Sequence, residues 1–124
     1  MTQVRQLAVA FAAARGGFGL GLIAAPAKVA SGWIGDDAAR SPSKVAVRGL
    51  GARDLALAGG TVAAALDGSA LRPWLAAAIA CDLSDIGATI AAGDALPKRA
   101  LPGAIALAGL SVLAGAALAA AADR

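Results

Sequence analysis

Several residue types that often carry chemistry are missing from this chain or nearly so. The sequence contains no glutamate, histidine or tyrosine, and its one cysteine is Cys81. A single cysteine excludes an internal disulfide. Without histidine, and with one thiol, the usual ligand sets for zinc, haem and copper are not available. We therefore predict no metal site and no cofactor.

Aromatic residues are also scarce, with two Phe and two Trp in 124 residues. Proteins that hold single-stranded nucleic acid usually stack its bases on aromatic side chains, so we predict no nucleic-acid partner. The net charge of +3 and the pI of about 9.8 come from dispersed Arg and Lys, without a basic block. Attraction of basic residues beside a membrane to anionic lipid explains such a charge.

What the chain has in excess is apolar sequence. It is 59% hydrophobic and 15% charged, with a mean hydropathy of +0.72, whereas soluble domains are about 45–50% apolar and about 25% charged. The apolar runs are about 20 residues long, the length that crosses about 30 Å of hydrocarbon. We predict one integral membrane domain over residues 1–124, an all-α four-helix transmembrane bundle with helices at about 4–27, 46–66, 71–93 and 101–122.

The first run begins like a signal peptide, with Arg5 before an apolar stretch and a small-residue segment at 25–27. Arg15 near the centre of the run favours a retained helix instead. The polar stretch 28–47 is predicted to be a link, with a turn at 41–43 and Ser43 as the cap of the next helix. Asp36 and Asp37 fit a solvated loop better than a metal or phosphate site.

The distribution of basic residues indicates a topology. The positive-inside rule places the two links that carry Arg40 and Lys98 in the cytoplasm, and both termini outside. Six residues carry positive charge on the cytoplasmic side and three on the other: Lys28, Arg40, Lys44, Arg48, Lys98 and Arg99, against Arg5, Arg72 and Arg124.

Charged residues in the apolar runs are the candidate functional site. Asp82 and Asp85 lie in the middle of the third run, and Arg15 lies at a similar depth in the first. An unpaired charge at the bilayer centre costs about 2.5–3.5 kcal/mol on insertion scales, and such residues are commonly functional. Two carboxylates three residues apart face the same way from one helix.

The second run supplies partners for them. Arg53 and Asp54 are adjacent and point about 100° apart, so each needs a partner on another helix. Because the second and third helices are antiparallel neighbours across a short turn, Arg53 is predicted to pair with Asp85 or Asp82. Asp54 is predicted to pair with Arg15 or with Arg48.

Roles follow from these positions. The predicted catalytic residues are Asp82, Asp85, Arg53 and Asp54, and the predicted binding residues are Arg15, Arg48 and Thr89. Carboxylates suit acid/base work, and arginine holds charge or orients a substrate. A closed ion-pair network that only sets helix register is the alternative. Cys81 is interpreted as a buried spectator thiol.

Two motifs resemble those of a known family. Arg48-Gly49-Leu50-Gly51-Ala52-Arg53-Asp54 contains an R-x-x-G-x-R-D element, and Asp82-Leu83-Ser84-Asp85 contains a D-x-x-D element. Together with Trp33-Ile34-Gly35 and Trp74, they are similar to a domain-of-unknown-function family of small four-helix bacterial integral membrane proteins. The resemblance implies four spans, a bacterial cytoplasmic membrane location and no assigned activity. Small multidrug exporters have a membrane-embedded glutamate that this chain lacks, and the aromatic pore pattern of fluoride channels is not visible.

Three functions are compatible with the sequence. The first is binding, and acid/base transformation without a metal, of an apolar lipid- or isoprenoid-like small molecule, for example by isomerisation, epoxide opening or cyclisation. The second is a proton- or ion-coupled oligomeric transporter. The third is a structural accessory subunit of a membrane complex. The uncharged run 101–122 is predicted to be a packing face, through which the chain could form a homo-oligomer.

Overall fold

The fold consists of helices that run back and forth between two ends of the molecule. A computed structural model describes residues 1–123, which form five α-helices and no strand. The helices are α1 (Gln3–Ala24), α2 (Pro26–Ile34), α3 (Ser41–Asp67), α4 (Arg72–Ala92) and α5 (Ala100–Ala121). The predicted all-α class is confirmed. Arg124, which the topology prediction counted, lies outside the described residues.

Three of these helices are long and apolar enough to cross a membrane. They are α1, α4 with the turn after it, and α5, with mean hydropathies of 1.7, 1.5 and 2.1. Helix α3, the remaining predicted span, does not reach this level, because it carries Arg48, Arg53 and Asp54 within one apolar stretch. Three of the four predicted spans are thus supported, and the four-helix transmembrane bundle stays a prediction.

A short helix lies where the sequence predicted a link. The first helix was expected to continue to Ala27, but it ends at Ala24, and α2 begins at Pro26. Proline has no backbone N–H and cannot continue the hydrogen bonds of α1, whereas it suits the first position of a new helix. Gly35 follows the last residue of helix α2, and its φ of 68° favours glycine.

Helix α3 also starts earlier than predicted. The expected turn at 41–43 with Ser43 as cap is wrong, because the helix begins at Ser41 and follows Arg40 in an extended conformation. Pro42 therefore lies in the first turn of a helix, where its missing N–H costs nothing. The helix runs for 27 residues, which brings Arg53 and Asp54 close to its middle.

The helices are arranged as two pairs. Helix α1 packs along α3, and α4 packs along α5. The first pair crosses closely at Gly19 and Gly51, since a Cβ placed on Gly19 would lie 2.6 Å from the carbonyl oxygen of Gly51. Small residues such as glycine permit this close approach of two helices. Far fewer residues of α3 contact α4. The two pairs share a buried apolar cluster, which includes Ala8, Ala64 and Leu75, and they also meet through polar side chains.

One end of the molecule is closed by charged side chains. Arg5 donates hydrogen bonds to the carbonyl oxygens of Ala64, Gly68 and Ser69 at the end of α3. The Asp123 carboxylate accepts from the backbone N–H groups of Leu71 and Arg72 at the start of α4. These N–H donors lower the pKa of Asp123, because they stabilise its charged form. The hydrogen bonds between the Asp123 carboxylate and the start of α4 are therefore lost only in acid, as the pH falls through this lowered pKa.

The outer surface of α5 is apolar. Its exposed large side chains include Ile105, Leu107, Leu110 and Leu113. Water would disfavour so much exposed aliphatic surface on one helix, whereas lipid chains would not. This surface and the three long apolar helices agree with a membrane protein.

Candidate functional site

Arg15 connects three helices at the centre of the molecule. Its Nη1 donates to Asp54 Oδ1 of α3 at 3.1 Å, and its Nη2 donates to Asp82 Oδ2 of α4 at 2.5 Å. The same Nη2 lies 2.9 Å from Ser111 Oγ of α5. The guanidinium carbon lies 5.8 Å from the centre of the Phe11 ring, within cation–π range. Arg15 therefore joins the two helix pairs.

Arg53 forms a second link between the pairs. Its Nη1 and Nη2 donate to Oδ1 and Oδ2 of Asp85 at 3.1 and 2.9 Å, which is a two-pronged ion pair. Nη2 also lies 3.3 Å from Asp54 Oδ1. Asp54 thus accepts from both arginines and connects the two ion pairs into one buried network. The structure selects the Arg53–Asp85 and Asp54–Arg15 pairings from those that the sequence left open.

The two halves of the network differ in exposure. The side chains of Arg15, Asp54 and Asp82 are 9%, 6% and 8% exposed. Those of Arg53 and Asp85 are 27% and 26% exposed. The closed half holds the helices together, while the open half can be reached by another molecule.

An apolar cleft of about 410 Å³ lies beside the open half. This volume is within the range of roughly 300–1,000 Å³ that is usual for small-molecule sites. Arg53, Asp54 and Asp85 line it, but Arg15 and Asp82 do not. Most of the other lining residues are apolar, and they come from α1, α2, α3 and the start of α5: Phe18, Leu22, Val29, Ala30, Trp33, Leu50, Ala104, Leu107 and Ala108.

Thr89 connects this cleft to helix α2. Its hydroxyl donates to the backbone oxygen of Asp85 at 2.7 Å and accepts from the indole Nε1 of Trp33 at 2.8 Å. The Trp33 ring is thereby held as one wall of the cleft. Thr89 was predicted to bind a ligand directly, but its position is that of a support for the wall and for the backbone of Asp85.

The structure brings most of the predicted residues together but leaves one outside. Arg48 contacts none of the carboxylates, since its Nε donates to the carbonyl oxygen of Ile23 at the end of α1. The reason is its place on α3, where it lies more than one turn from Arg53 on the side of the helix N-terminus. Arg48 therefore caps a carbonyl group at the C-terminal end of α1. The alternative pairing of Asp54 with Arg48 is not formed.

Three residues at the site were not assigned to it from the sequence. Trp33 was named only as part of the family resemblance, Ser111 lies in the run that was predicted to be a packing face, and Arg99 was used as a topology signal. Ser111 had a detectable signal, because it is the one polar side chain in α5 and lies at mid-depth. Trp33 and Arg99 had no such signal in the sequence, because the unexpected helix α2 is what brings them to the cleft.

Comparisons with known proteins do not extend this description. No family model, curated protein or solved structure matches the chain. Within residues 1–123, no group of three or more His, Cys, Asp or Glu side chains is placed to hold a metal ion. What the structure shows is an all-helical protein with three candidate membrane spans and a buried network of Arg and Asp.

Proposed function

We propose that the protein binds an apolar, lipid- or isoprenoid-like small molecule in the cleft and exchanges a proton with it. The observation that carries this proposal is the position of the Arg53–Asp85 ion pair in the wall of a mostly apolar cavity. An ion pair that served only to hold helices would gain nothing from such a cavity. We also propose, from the resemblance, that the membrane is a bacterial cytoplasmic membrane.

Asp85 is the best-placed residue for proton transfer. Asp85 lines the cleft, and each of its oxygens accepts one hydrogen bond from Arg53. These bonds hold the group as a carboxylate, each oxygen keeps a second lone pair that can take a proton from a ligand, and Arg53 can stabilise charge that develops on the ligand. A base that removes a proton from one atom of the ligand and returns it to another carries out an isomerisation. Such a reaction needs no co-reactant. Asp82, which was also predicted to be catalytic, is a positioning residue in this proposal, because it faces Arg15 and not the cleft.

Filling the cleft should abolish binding. Ala104 lines the cavity, and Ala106 lies two residues further on the exposed side of the same helix. We expect Ala104→Trp to lose a co-purifying small molecule that the unmodified protein and Ala106→Trp both retain, because only the first indole occupies the cavity. Native mass spectrometry of protein released from mild detergent measures the retained mass. Equal retention by both variants would place the ligand elsewhere and overturn the proposal.

Proton exchange should depend on Asp85. In D₂O, a ligand whose proton is removed and returned gains deuterium, which shifts its mass. We expect Asp85→Asn to retain the ligand but to slow this exchange by at least about a hundredfold, the usual contribution of a general base. Asp94→Asn, at an exposed position outside the cleft, is the control. Unchanged exchange in Asp85→Asn would remove Asp85 from the chemistry and leave a binding protein.

The closed half of the network favours a structural role for part of the site. The carboxylates of Asp54 and Asp82 both accept from Arg15, and little of these three side chains is exposed. We propose that this half sets the positions of the helices for the open half. The apolar outer face of α5 is the surface for the proposed homo-oligomer. A proton-coupled transporter stays a prediction, since no feature of the described residues favours it over binding.

A further inference from the structure

We infer that the ligand is an amphiphile with an anionic head group, which lies at Arg99 while its apolar chain extends along the cleft toward Arg53 and Asp85. This inference rests on the proposed binding function and specifies the chemical class of the ligand. It depends on Arg99, which lines the cleft without a carboxylate partner among the described residues, on the positions of the two lining arginines, and on the apolar wall between them.

Two cations, Arg53 and Arg99, and two carboxylates, Asp54 and Asp85, line the cleft, and both carboxylates are paired with arginines other than Arg99. Asp85 is paired with Arg53, and Asp54 accepts from Arg15 and Arg53. Among the described residues, Arg99 has no carboxylate within ion-pair distance. Among these residues, its guanidinium group forms one hydrogen bond, which is long and runs from Nη2 to the carbonyl oxygen of Ser31 at 3.4 Å. An anionic ligand would supply the missing partner, whereas a neutral one would leave Arg99 as it is.

The two arginines reach the cavity from different places on their helices, since Arg99 precedes the first residue of α5 and Arg53 lies near the middle of α3. Arg99 directly precedes α5, at the end of the molecule where α2 lies, and is exposed. The wall formed by α5 extends from Ala100 to Ala108, eight residues or about 12 Å of helix. The head group of a ligand would thus stay near the membrane surface, where charge is tolerated, and its chain would lie in the apolar part.

The apolar wall selects the rest of the ligand. Along this wall, the residues of α5 that face the cavity are Gly103, Ala104, Leu107 and Ala108, and Phe18 and Leu22 of α1 also line it. None of them carries a polar side chain, so hydroxyl or amide groups along the ligand would lose their hydrogen bonds to water. Carboxylate and phosphate share the negative charge and acceptor oxygens that a guanidinium binds. A fatty-acid-like and a prenyl-phosphate-like ligand are thus two members of the inferred class.

Competition between head groups on one chain tests the inference. Protein depleted of bound small molecules is mixed with equimolar laurate, dodecyl phosphate and dodecanol, and native mass spectrometry compares the retained amounts. We expect the two anions together to exceed the alcohol by about tenfold, since a hydrogen bond to a charged group contributes about that factor. The ratio of laurate to dodecyl phosphate identifies which of the two head groups is preferred.

Adjacent basic residues provide matched variants. Arg99 lines the cleft and Lys98 does not, although both are exposed. We expect Arg99→Gln to reduce the preference for anions about tenfold, with dodecanol retained as before, and Lys98→Gln to keep the preference. Equal retention of all three probes by the unmodified protein, or an equal effect of the two substitutions, would overturn the inference but leave binding in the cleft intact. Retention of every probe by Ala104→Trp would instead count against the proposed function.

Discussion

Replacing Arg15 with methionine should lower the free energy of unfolding by about 3–5 kcal/mol, the usual cost of removing one partner from a buried ion pair. The substitution leaves Asp82 with no cation, and Asp54 with only the 3.3 Å contact to Arg53. It also removes one of the two polar links between the helix pairs and leaves the Arg53–Asp85 link. Unfolding in mixed micelles of increasing denaturing detergent, followed by circular dichroism, measures the change.

Two further variants separate charge pairing from the loss of a side chain. Arg40 forms an exposed ion pair with Asp37 at 3.7 Å, so Arg40→Met should cost no more than about 1 kcal/mol. The double variant Arg15→Met with Asp82→Leu should recover much of the lost stability, because it removes the unpaired buried carboxylate and Asp54 keeps Arg53. If Arg15→Met were as stable as Arg40→Met, the network would not hold the helix pairs together.

Gly51→Ala should have the second-largest effect, by forcing α1 and α3 apart. A Cβ on Gly51 would lie 2.5 Å from the carbonyl oxygen of Gly19 and 2.9 Å from a side-chain carbon of Ile23. The backbone carbonyl cannot move without moving α1, so we expect a loss of about 1–3 kcal/mol, as for other overpacked contacts. Because α1 carries Arg15, ligand retention should fall as well.

Gly49 on the same helix is the control for this substitution. A Cβ on Gly49 would meet no atom within 4 Å, and alanine is the better helix former by up to about 1 kcal/mol. Gly49→Ala should therefore leave the protein as stable or slightly more stable and should not change ligand retention. The same unfolding measurement compares the two variants. An equal, small effect at both positions would mean that the close crossing of α1 and α3 is not required.

The sequence predicted the inner part of the site well because charges in apolar runs have few partners. Asp82 and Asp85 are three residues apart on one helix, and each must find a cation at its own depth. The short turn between α3 and α4 predicted that Arg53 pairs with Asp85 or Asp82, and the structure has the pair with Asp85. What counting residues could not predict is that Asp54 would accept from two arginines, since that depends on how far α1 and α3 are rotated toward each other.

The outer part of the site could not be predicted, since it depends on a helix that the sequence did not indicate. Helix α2 has nine residues, too few to show a clear apolar period, and it begins directly after α1 at Pro26. Pro26 was interpreted as part of a small-residue segment and not as the point where the first helix ends. Helix α2 begins at this point and carries Trp33 to the wall of the cleft. Arg99 reaches the cleft only because the start of α5 lies against α2.

The arrangement in two helix pairs has a consequence for the order in which the protein assembles during translation. Arg5 closes the first pair by binding residues 64–69, whereas the cap on Leu71 comes from Asp123, 52 residues later. At about 5–20 residues per second, the ribosome needs roughly 3–10 s to synthesise the residues between Leu71 and Asp123. We predict that α1 and α3 meet first and that the cleft forms only when α5 emerges. Translation-arrest measurements should then record two separate pulling events, and a single late event would contradict this order.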